Sequence, residues 1–433
     1  MYMGQAHKPL PEGVHTVVLG IGDLNGLLRG KRIPAENWTN ICESGMALSN
    51  AMFAIDMTCD VWDTPYTNWD TGYPDFHVMP IGEVHPIPWE EGVVYSFAEA
   101  VGADHQPLPI DPRAALVRVL QKASDMGYVT RIGTELEFYL LDKETLKPRD
   151  RGIQVYGLPR AAELEHVLGP IRRHLTAVGI PIEQSNPEYA AGQVEVNIRY
   201  DEALIAADRV VTFRGLVKEL GNAHGYHATF MSKPFFAESG NGFHVHHSLW
   251  KDNQNVMADN GALSKLGRQY LAGLQKHMAE MAMVSATTPN AYRRRQPYTF
   301  CPINNAWGID NRTVGLRVIL GNDNAVRVEK RDGSADCNPY LLLALEIAAG
   351  LKGIEDSLEP TAETVGNGYE NPDCQPIPTD LATAVVLARE SDLMAEVLGA
   401  DLLELLIQQS EREIEFIANQ VTPVEIERYL ENF

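Results

Sequence analysis

Two glutamates stand two positions apart in a segment that is otherwise apolar, and this pattern limits what the chain can fold into. The segment GTELEFYLLD (residues 133–142) is rich in Phe, Tyr and Leu, which predicts a β-strand. Because successive side chains of a strand point to opposite faces, Glu135 and Glu137 share one face. Two carboxylates there repel each other and resist burial unless a cation lies between them. The pattern therefore indicates either a metal site or a solvated edge strand.

Three histidines follow a glycine in a second strand-like segment, GFHVHHSLW (residues 242–250). The same alternation places His244 and His246 on one face and His247 on the other. An isolated pair of this kind is typical of histidines that are hydrogen-bonded in a core. In combination with the glutamates, the pair becomes a candidate for binding a metal ion or a phosphate group.

Two further segments add glutamates and arginines. Glu188 and Glu195 in NPEYAAGQVEVNIRY flank a Gly-Gln turn that would return both to one centre. In NAVRVEKRD, Arg327, Glu329 and Arg331 alternate on one face of a predicted strand. This second pattern is either a surface ladder of ion pairs, each stabilising by only about 0.5 kcal/mol, or a metal-binding glutamate between two arginines that hold phosphate or carboxylate groups.

The glutamates and histidines together form an oxygen-rich set of candidate ligands. Five carboxylates with one or two imidazoles suit Mg²⁺ or Mn²⁺ better than zinc, which favours more His or Cys. Two such ions beside several arginines are typical of phosphoryl transfer. The sequence contains no Walker loop, kinase loop or dinucleotide-binding fingerprint, so a nucleotide would be held in another way.

Charge and cysteine content argue against several classes of function. The chain has 433 residues, with 36 Lys and Arg against 58 Asp and Glu, and its formal charge of -22 argues against nucleic acid or an anionic membrane as a partner. Five scattered cysteines without a CxxC pair argue against a disulfide framework or a zinc ribbon. The polar start MYMGQAHKPLPEGVH and the lack of a long apolar run predict a cytoplasmic protein without a membrane span.

The order of predicted elements indicates an α+β protein with two domains. A small β-rich unit begins within residues 14–33 and ends near residue 108. Beyond it, Asp111 followed by Pro112 is typical of a helix start. We therefore predict one domain at residues 1–108 and a second at 109–433.

Long helices are predicted in the second domain. Amphipathic spacing predicts them at residues 202–220, 263–284 and 339–355, between the strand-like segments. The last 55 or so residues are predicted to be packed helices, and the last of these begins with a capping box of Thr422 and Glu425.

Six separated motifs in a fixed order show that the chain resembles the glutamine synthetase superfamily over essentially its whole length. They are DLNGLLRGKRIP, GTELEFYLLD, PEYAAGQVE, FMSKPFFAESGNGFHVHHSL, NAYRRRQP with DNRTVGLRV, and RVEKRDGSADCNPYL. Any one of them could occur by chance, whereas the ordered set is specific. The resemblance implies the family's fold: a small N-terminal β-grasp domain and a large C-terminal catalytic α+β domain with a curved antiparallel sheet.

The resemblance also implies which residues bind ATP and two or three Mg²⁺ or Mn²⁺ ions. The first metal would be held by Glu137, Glu188 and Glu195, and the second by Glu135, His244 and Glu329. The positions that match the family's ATP site are Glu183, His246, Ser248, Arg317 and Arg327.

Glutamate would lie beside these groups. Arg294 matches the arginine that binds its α-carboxylate, and Gly240 matches the backbone contact near its amino group. Arg312 and Arg331 match the arginines near the γ-carboxyl group and the transferring phosphate, so they and His246 are the implied catalytic residues.

The chain departs from ammonia-using glutamine synthetases at the residues that bind ammonium. Phe300 takes the place of a glutamate that closes the ammonium site, the DGSS motif with its aspartate is absent, and Ser239 replaces an asparagine that contacts glutamate. Losing these carboxylates would impair the use of ammonia. Phe300, Trp62 and Asp63 would instead line a pocket for a larger amine, the last two from an aromatic and acidic loop at residues 59–76. Alternatively, the aromatic residues are loop anchors.

These features imply an ATP-dependent ligase of the γ-glutamylamide synthetase branch, which includes γ-glutamylputrescine synthetases. Such an enzyme joins the γ-carboxyl group of glutamate to a polyamine or other primary amine through γ-glutamyl phosphate, and releases ADP and phosphate. The alternatives are a glutamine synthetase that uses ammonia and a non-catalytic structural or regulatory member. The resemblance further implies a ring-shaped homo-oligomer, a dodecamer, with active sites between subunits.

Overall fold

The computed structural model describes residues 9–149 and 155–433, which form two main β-sheets and a layer of helices. The strands are β1 (Thr16–Gly22), β2 (Leu28–Pro34), β3 (Met46–Ser49), β4 (Asp75–Pro86), β5 (Val93–Val101), β6 (Val129–Asp142), β7 (Ile182–Pro187), β8 (Gln193–Glu202), β9 (Tyr226–Thr229), β10 (Phe243–Lys251), β11 (Gln254–Asn255), β12 (Ala258–Asp259), β13 (Ala262–Leu263), β14 (Trp307–Ile309), β15 (Leu316–Ile319) and β16 (Arg327–Lys330).

The helices alternate with the strands in the second part of the chain, and the first part contains one short helix. They are α1 (Trp38–Ser44), α2 (Pro112–Asp125), α3 (Leu158–Ala177), α4 (Ala203–Ala223), α5 (Lys265–His277), α6 (Ala282–Ser285), α7 (Pro289–Tyr292), α8 (Pro339–Glu355), α9 (Leu381–Glu390), α10 (Asp392–Leu398), α11 (Ala400–Ala418) and α12 (Pro423–Tyr429).

The N-terminal sheet has the strand order β2-β1-β5-β4-β3, in which only β1 and β5 run parallel. Its first hairpin turns at Gly26, whose φ of 68° suits glycine. The buried carboxylate of Asp23 accepts hydrogen bonds from the backbone N–H groups of Asn25 and Leu27 and from Nε of Arg29. These bonds fix the turn that leads into β2.

The second sheet has the order β14-β15-β16-β10-β6-β8-β7, with β9 paired to β6 and β11 to β10. Its pairs are antiparallel except for β14 with β15. Helices α4 and α8 pack beside it, and α8 is apolar and buried on almost all sides. A small sheet followed by a large, curved and mostly antiparallel one confirms the predicted α+β class. The domain boundary near residue 108 stays a prediction.

Two predicted helix boundaries are confirmed and one predicted helix is wrong. Asp111 caps α2, and α8 spans the predicted residues 339–355. The continuous helix expected at residues 263–284 is instead two helices, α5 and α6. Ser264 starts α5 by accepting a bond from the N–H of Gly267. The break between α5 and α6 lies between two fully buried methionines, Met278 and Met281, so apolar side chains continue across it and their spacing gives no boundary to detect.

The C-terminal helices only partly match the expectation of packed structure. Helices α9 to α11 bury apolar residues, whereas residues 419–433 are exposed throughout. The predicted capping box is present: Thr422 and Glu425 exchange side-chain and backbone hydrogen bonds at the start of α12. Because these bonds are local, they define the helix without burying it, and the prediction that this last helix is packed is wrong for the single chain.

No helix within the described residues is long and apolar enough to cross a membrane. The first eight residues, which carry part of the predicted polar start, lie outside the described residues. A cytoplasmic location stays a prediction.

Replacing Asp111 by Ala tests the start of the second domain. Its carboxylate oxygens accept hydrogen bonds from the N–H groups of Arg113 (3.1 Å) and Ala114 (3.3 Å), so the variant should lose about 1–2 kcal/mol of unfolding free energy. Urea denaturation at equal protein concentration measures the loss. Asp125→Ala, at the exposed end of the same helix, is the matched control and should cost less than about 0.5 kcal/mol. Equal losses in the two variants would contradict the capping role.

Candidate active site

The register of the large sheet brings most of the predicted metal ligands side by side. His244 on β10 lies opposite Glu135 on β6, Glu137 lies opposite Glu195 on β8, and His246 lies opposite Glu329 on β16. Residues opposite each other on antiparallel strands have Cβ atoms about 5 Å apart. Four neighbouring strands therefore present one continuous row of carboxylates and imidazoles.

Glu188 joins this row through the predicted Gly-Gln turn. The turn between β7 and β8 contains Gly192 with a φ of 73°, and the N–H of Glu188 donates to the carbonyl of Gln193 at 2.9 Å. Asn186 donates to Oε1 of Glu188 at 3.0 Å, which orients the carboxylate. A backbone group also orients the neighbouring carboxylate: the N–H of Gly242 donates to Oε2 of Glu137 at 2.6 Å. The turn prediction is confirmed in its local geometry.

The carboxylates on the β8 side repel one another. Burial, reinforced by Glu137, raises the pKa of Glu188 to about 8, and burial with the charges of Glu135 and Glu137 raises the pKa of Glu195 to about 9. Within residues 9–149 and 155–433, neither Glu188 nor Glu195 forms an ion pair with Lys or Arg. Without a cation, Glu188 and Glu195 therefore retain protons at neutral pH, and a bound cation would favour their ionised form.

The carboxylates of Glu135 and Glu329, toward β16, have histidine and arginine neighbours that stabilise their negative charge. Burial opposes ionisation of Glu135, but His246 and His244 lower its pKa well below the ordinary value. Burial likewise opposes ionisation of Glu329, but Arg331, His246 and His244 lower its pKa to about 2. Both carboxylates are therefore charged at neutral pH.

The donor atoms fit hard divalent cations. The ligand atoms of Glu135, His246 and Glu329 lie within 4.8 Å of one another, as do those of Glu135, Glu195 and His244. Carboxylate oxygens with one imidazole in each group are ligands that Mg²⁺ and Mn²⁺ accept. The geometry places His246 among the candidate metal ligands, and its contact with phosphate stays a prediction.

Two arginines hold the carboxylate of Glu329. Nη1 of Arg331 lies 2.5 Å from Oε1 and Nη1 of Arg317 lies 2.9 Å from Oε2. Arg317 also contacts Asp310 at 2.6 Å. The structure thus brings two arginines onto a predicted metal ligand and buries Glu329 completely. Arg327, the other arginine of the predicted Arg-Glu-Arg strand, contacts His246 instead.

The two facing histidines differ from the third as predicted. Nε of Arg327 donates to Nδ1 of His246 at 3.2 Å, and Nε2 of His246 lies 2.9 Å from Oε1 of Glu135. His247 points away from the site, where its ring nitrogens contact the Tyr270 hydroxyl (3.0 Å) and Glu346 (2.9 Å). The prediction that His247 faces away from His244 and His246 is confirmed by this geometry.

The predicted glutamate-binding residues lie together in the interior. Nη2 of Arg294 donates to the carbonyl groups of Asp332 and Gly333, while its buried Nε has no hydrogen-bond partner among the described residues. A Cβ atom on Gly240 would lie 2.6 Å from Cγ of Arg294, so only glycine fits there. An unpartnered guanidinium N–H beside a close-packed glycine fits a bound carboxylate.

The remaining predicted nucleotide and phosphate residues lie around the edge of the cluster. Ser248 shares the face of His246 and donates to the carbonyl of Arg131 at 3.2 Å. Glu183 is exposed at a bulge in the edge strand β7, and Arg312 is exposed in the turn between β14 and β15.

Phe300 forms an aromatic lip with Tyr189, the residue that follows Glu188. Their ring centroids are 5.9 Å apart and both side chains are partly exposed. Phe300 has a φ of 57°, a left-handed conformation that is strained for a bulky residue, and its carbonyl accepts a hydrogen bond from Arg331 at 3.4 Å. The lip is thereby tied to the arginine that also holds Glu329.

The other predicted amine-pocket residues lie in the N-terminal domain. Trp62 is only 6 % exposed, and the guanidinium of Arg412 covers its ring at 5.2 Å. Asp63 accepts hydrogen bonds from the Trp69 N–H (3.0 Å) and the Tyr73 hydroxyl (3.0 Å). Within one chain, Trp62 therefore acts as a core anchor, the alternative that the sequence left open. The role of Trp62 and Asp63 in an amine pocket stays a prediction.

Sequence reasoning missed two aromatic neighbours of the cluster. Tyr156 donates its backbone N–H to the carbonyl of Pro187 at 3.1 Å, and burial followed by the charge of Glu188 raises the pKa of its hydroxyl. Tyr189, within the motif PEYAAGQVE, is the second of these neighbours. Its position beside Glu188 was the available signal, whereas the segment around Tyr156 offered none.

Comparison with known proteins agrees with this geometry. The family model described as "Glutamine synthetase, catalytic domain" matches residues 109–429. The glutamate–isopropylamine ligase of Pseudomonas sp is 33% identical over 96% of this chain and 95% of its own length. The gamma-glutamylethanolamide synthetase GlnA4 of Streptomyces coelicolor is 33% identical over 96% of this chain and 93% of its own length.

A solved structure shares the whole architecture. The complex of GmaS with ADP superimposes with a TM-score of 0.85 at 28% sequence identity, covering 97% of each chain. The family model accounts for most of the chain, and the relatives match almost all of it. The chain belongs to the glutamine synthetase family.

Proposed function

We propose that the protein is an ATP-dependent ligase that joins the γ-carboxyl group of glutamate to a primary amine. The observation that carries this proposal is a cluster of carboxylates and arginines suited to phosphoryl transfer, bounded by the aromatic pair Tyr189 and Phe300. Two relatives are named for ligation of glutamate to isopropylamine and for γ-glutamylethanolamide synthesis, which supports an amine larger than ammonia.

The reaction proceeds in two steps. A γ-carboxylate oxygen of glutamate attacks the γ-phosphorus of ATP, the bond to the bridging oxygen breaks, and ADP leaves. The amine nitrogen then attacks the acyl carbon of γ-glutamyl phosphate, the carbon–oxygen bond to phosphate breaks, and the nitrogen loses a proton. Phosphorylation is needed because an unmodified carboxylate has no good leaving group.

The chain's own residues position the reactants. Arg294 offers its unpartnered Nε to the α-carboxylate of glutamate. Arg331 and Arg312 neutralise the γ-carboxyl and phosphoryl oxygens, and His246 is held against Glu135 and Arg327 to meet the phosphate. ATP itself would lie against Glu183, Ser248, Arg317 and Arg327.

Two or three Mg²⁺ or Mn²⁺ ions would be held by the row of ligands described above. Glu137, Glu188 and Glu195 would form one site, and Glu135, His244 and Glu329 the other. When bound, such ions neutralise phosphate charge and orient the transferring group. The raised pKa values of Glu188 and Glu195 support this assignment, because a cation between these buried carboxyl groups would favour their ionised form.

The amine would enter over the aromatic lip. Tyr189 and Phe300 offer ring faces that suit an alkyl chain or a cation. Trp62 and Asp63 would contribute from the N-terminal domain of a neighbouring subunit in a ring-shaped homo-oligomer, for which we propose a dodecamer. Glutamate, an amine and further copies of this chain are thus the proposed partners.

A panel of amines tests the proposed reaction. Purified enzyme with ATP, Mg²⁺ and glutamate should release phosphate faster with at least one primary amine than with ammonium, and mass spectrometry should find the corresponding γ-glutamylamide. Isopropylamine, ethanolamine, putrescine and longer alkyl amines form the panel. Faster turnover with ammonium than with every amine would instead identify a glutamine synthetase, and absence of turnover and of metal binding would identify a non-catalytic member.

Substitution of Phe300 tests the aromatic lip. Because Phe300→Ala removes one ring of the pair, kcat/KM for the best alkyl amine should fall by about tenfold, the effect of about 1.4 kcal/mol of lost packing. The KM for ATP should stay within about twofold, since Arg331 contacts the backbone carbonyl of Phe300, which the substitution keeps. Tyr298→Phe, in the same loop, is the matched control because it removes only the hydroxyl bond to Glu370 (2.7 Å). A fall of equal size in the control would show that loop order, rather than the ring, matters.

The pH dependence of thermal stability tests whether Glu188 and Glu195 form a cation-binding site. Folding raises the pKa of Glu188 and Glu195 from 4.5 to about 8 and 9, so the stability they contribute is present below about pH 5 and is lost as pH rises toward 9. In EDTA, Tm should therefore fall by at least about 2 °C between pH 6 and 8.5. Mg²⁺ should reduce this fall because it binds the ionised carboxylates.

Glu195→Gln provides the control for this pH effect. The variant lacks one of the two carboxyl groups with a raised pKa, so its Tm in EDTA should depend less on pH. Identical slopes of Tm against pH in EDTA and in Mg²⁺ would contradict the cation site.

A further inference from the structure

A second set of charged side chains lies on the opposite face of the strands that carry the candidate ligands. On β16, Lys330 stands between Glu329 and Arg331, and on β10, His247 follows His246. These back-facing residues join others from α8 and from the segment after α7 in a buried charge network. Its members, each at most 3 % exposed, are Arg295, Lys330, Asp332, Glu346 and His247.

The network is continuous and balanced in charge. Nζ of Lys330 contacts Oδ1 of Asp332 and lies 3.1 Å from Oε1 of Glu346. The other Glu346 oxygen lies 2.9 Å from Nε2 of His247, and Nη2 of Arg295 lies 3.8 Å from Oδ2 of Asp332. Two cations and two carboxylates offset one another, which lets all four stay buried.

One branch of the network reaches the residue that would bind glutamate. The backbone carbonyl of Asp332 accepts a hydrogen bond from Nη2 of Arg294 at 3.1 Å, and the carbonyl of Gly333 accepts another. The side chain of the same Asp332 is held by Lys330 on one side and approached by Arg295 on the other. The backbone that orients Arg294 is therefore fixed through its own side chain.

Arg295 in turn ties this branch to the surrounding framework. Its Nη1 donates to the carbonyl of Pro378 at 2.8 Å and its Nη2 to Oγ of Ser285 at 2.9 Å. The N–H of Ser334 donates to the carbonyl of Ser285 at 2.8 Å. Consecutive arginines thus divide their roles: Arg294 faces the site and Arg295 anchors the same segment behind it.

We propose that Asp332 is a positioning residue for glutamate, which acts by fixing the carbonyl groups that orient Arg294 relative to Glu329 and Arg331. The inference rests on the proposed function, because it takes glutamate as the ligand of Arg294. Stability alone does not require such a network, since apolar side chains of similar volume often replace buried ion pairs without loss. A shift of about 1 Å in a substrate-binding group can cost about a hundredfold in rate, so the orientation matters.

Two isosteric variants separate positioning from stability. Asp332→Asn weakens the branch that touches Arg294, whereas Glu346→Gln removes a carboxylate that shares the partner Lys330 but contacts His247 instead. Kinetics with the best amine should show the KM for glutamate raised about tenfold in Asp332→Asn, with the KM for ATP and the affinity for Mn²⁺ within twofold of wild type. Glu346→Gln should lower Tm but leave the KM for glutamate within twofold.

The outcomes distinguish this inference from the proposed function. An unchanged KM for glutamate in folded Asp332→Asn, or an equal rise in Glu346→Gln, would overturn the positioning role while leaving the ligase intact. If Asp332→Asn does not fold, Arg295→Lys is measured against the same criteria, since it keeps the cation but loses the two-pronged contact with Ser285 and Pro378. Failure of the wild type to use glutamate with any amine would overturn both proposals.

Discussion

The structure depends on the confinement of acidic side chains to one face of a sheet. Antiparallel register places Glu135, His244, Glu137 and Glu195 opposite one another across neighbouring strands, and burial makes their mutual repulsion costly. On the β16 side of the site, Arg317 and Arg331 offset this repulsion, because each forms an ion pair with one carboxylate oxygen of Glu329. On the β8 side, by contrast, burial together with neighbouring carboxylates raises the pKa of Glu188 and Glu195. A cation bound on that side would favour the ionised form of both groups.

The same strands have chemistry on one face and a charge network on the other. Alternation along β16 separates Glu329 from Lys330 by one residue, yet the two belong to different environments. The front face has polar groups without protein partners that a ligand would bind, such as Nε of Arg294. On the back face the charged side chains form ion pairs with one another, as Lys330 does with Glu346. A rigid back face allows the front to hold repelling groups in a fixed geometry.

The features that follow from a period of two could be predicted from sequence, and those that depend on distant partners could not. The shared face of Glu135 and Glu137, and the orientation of His247 toward the opposite face of its own strand, follow from strand alternation alone. The ion pair between Lys330 and Glu346 could not be predicted, because a lysine on the same strand face as Val326 and Val328 is equally compatible with an exposed face. The break between α5 and α6 and the covering of Trp62 arise from tertiary packing, which local spacing does not encode.

In the proposed reaction, glutamate is activated by phosphorylation of its γ-carboxyl group. Glutamate labelled with ¹⁸O in that group, incubated with ATP, Mg²⁺ and the preferred amine, tests this step directly. One labelled oxygen should appear in each inorganic phosphate released, because the carboxylate oxygen stays with phosphorus when the amine displaces phosphate. Phosphate without label, alongside amide formation, would show that the γ-carboxyl group is not phosphorylated.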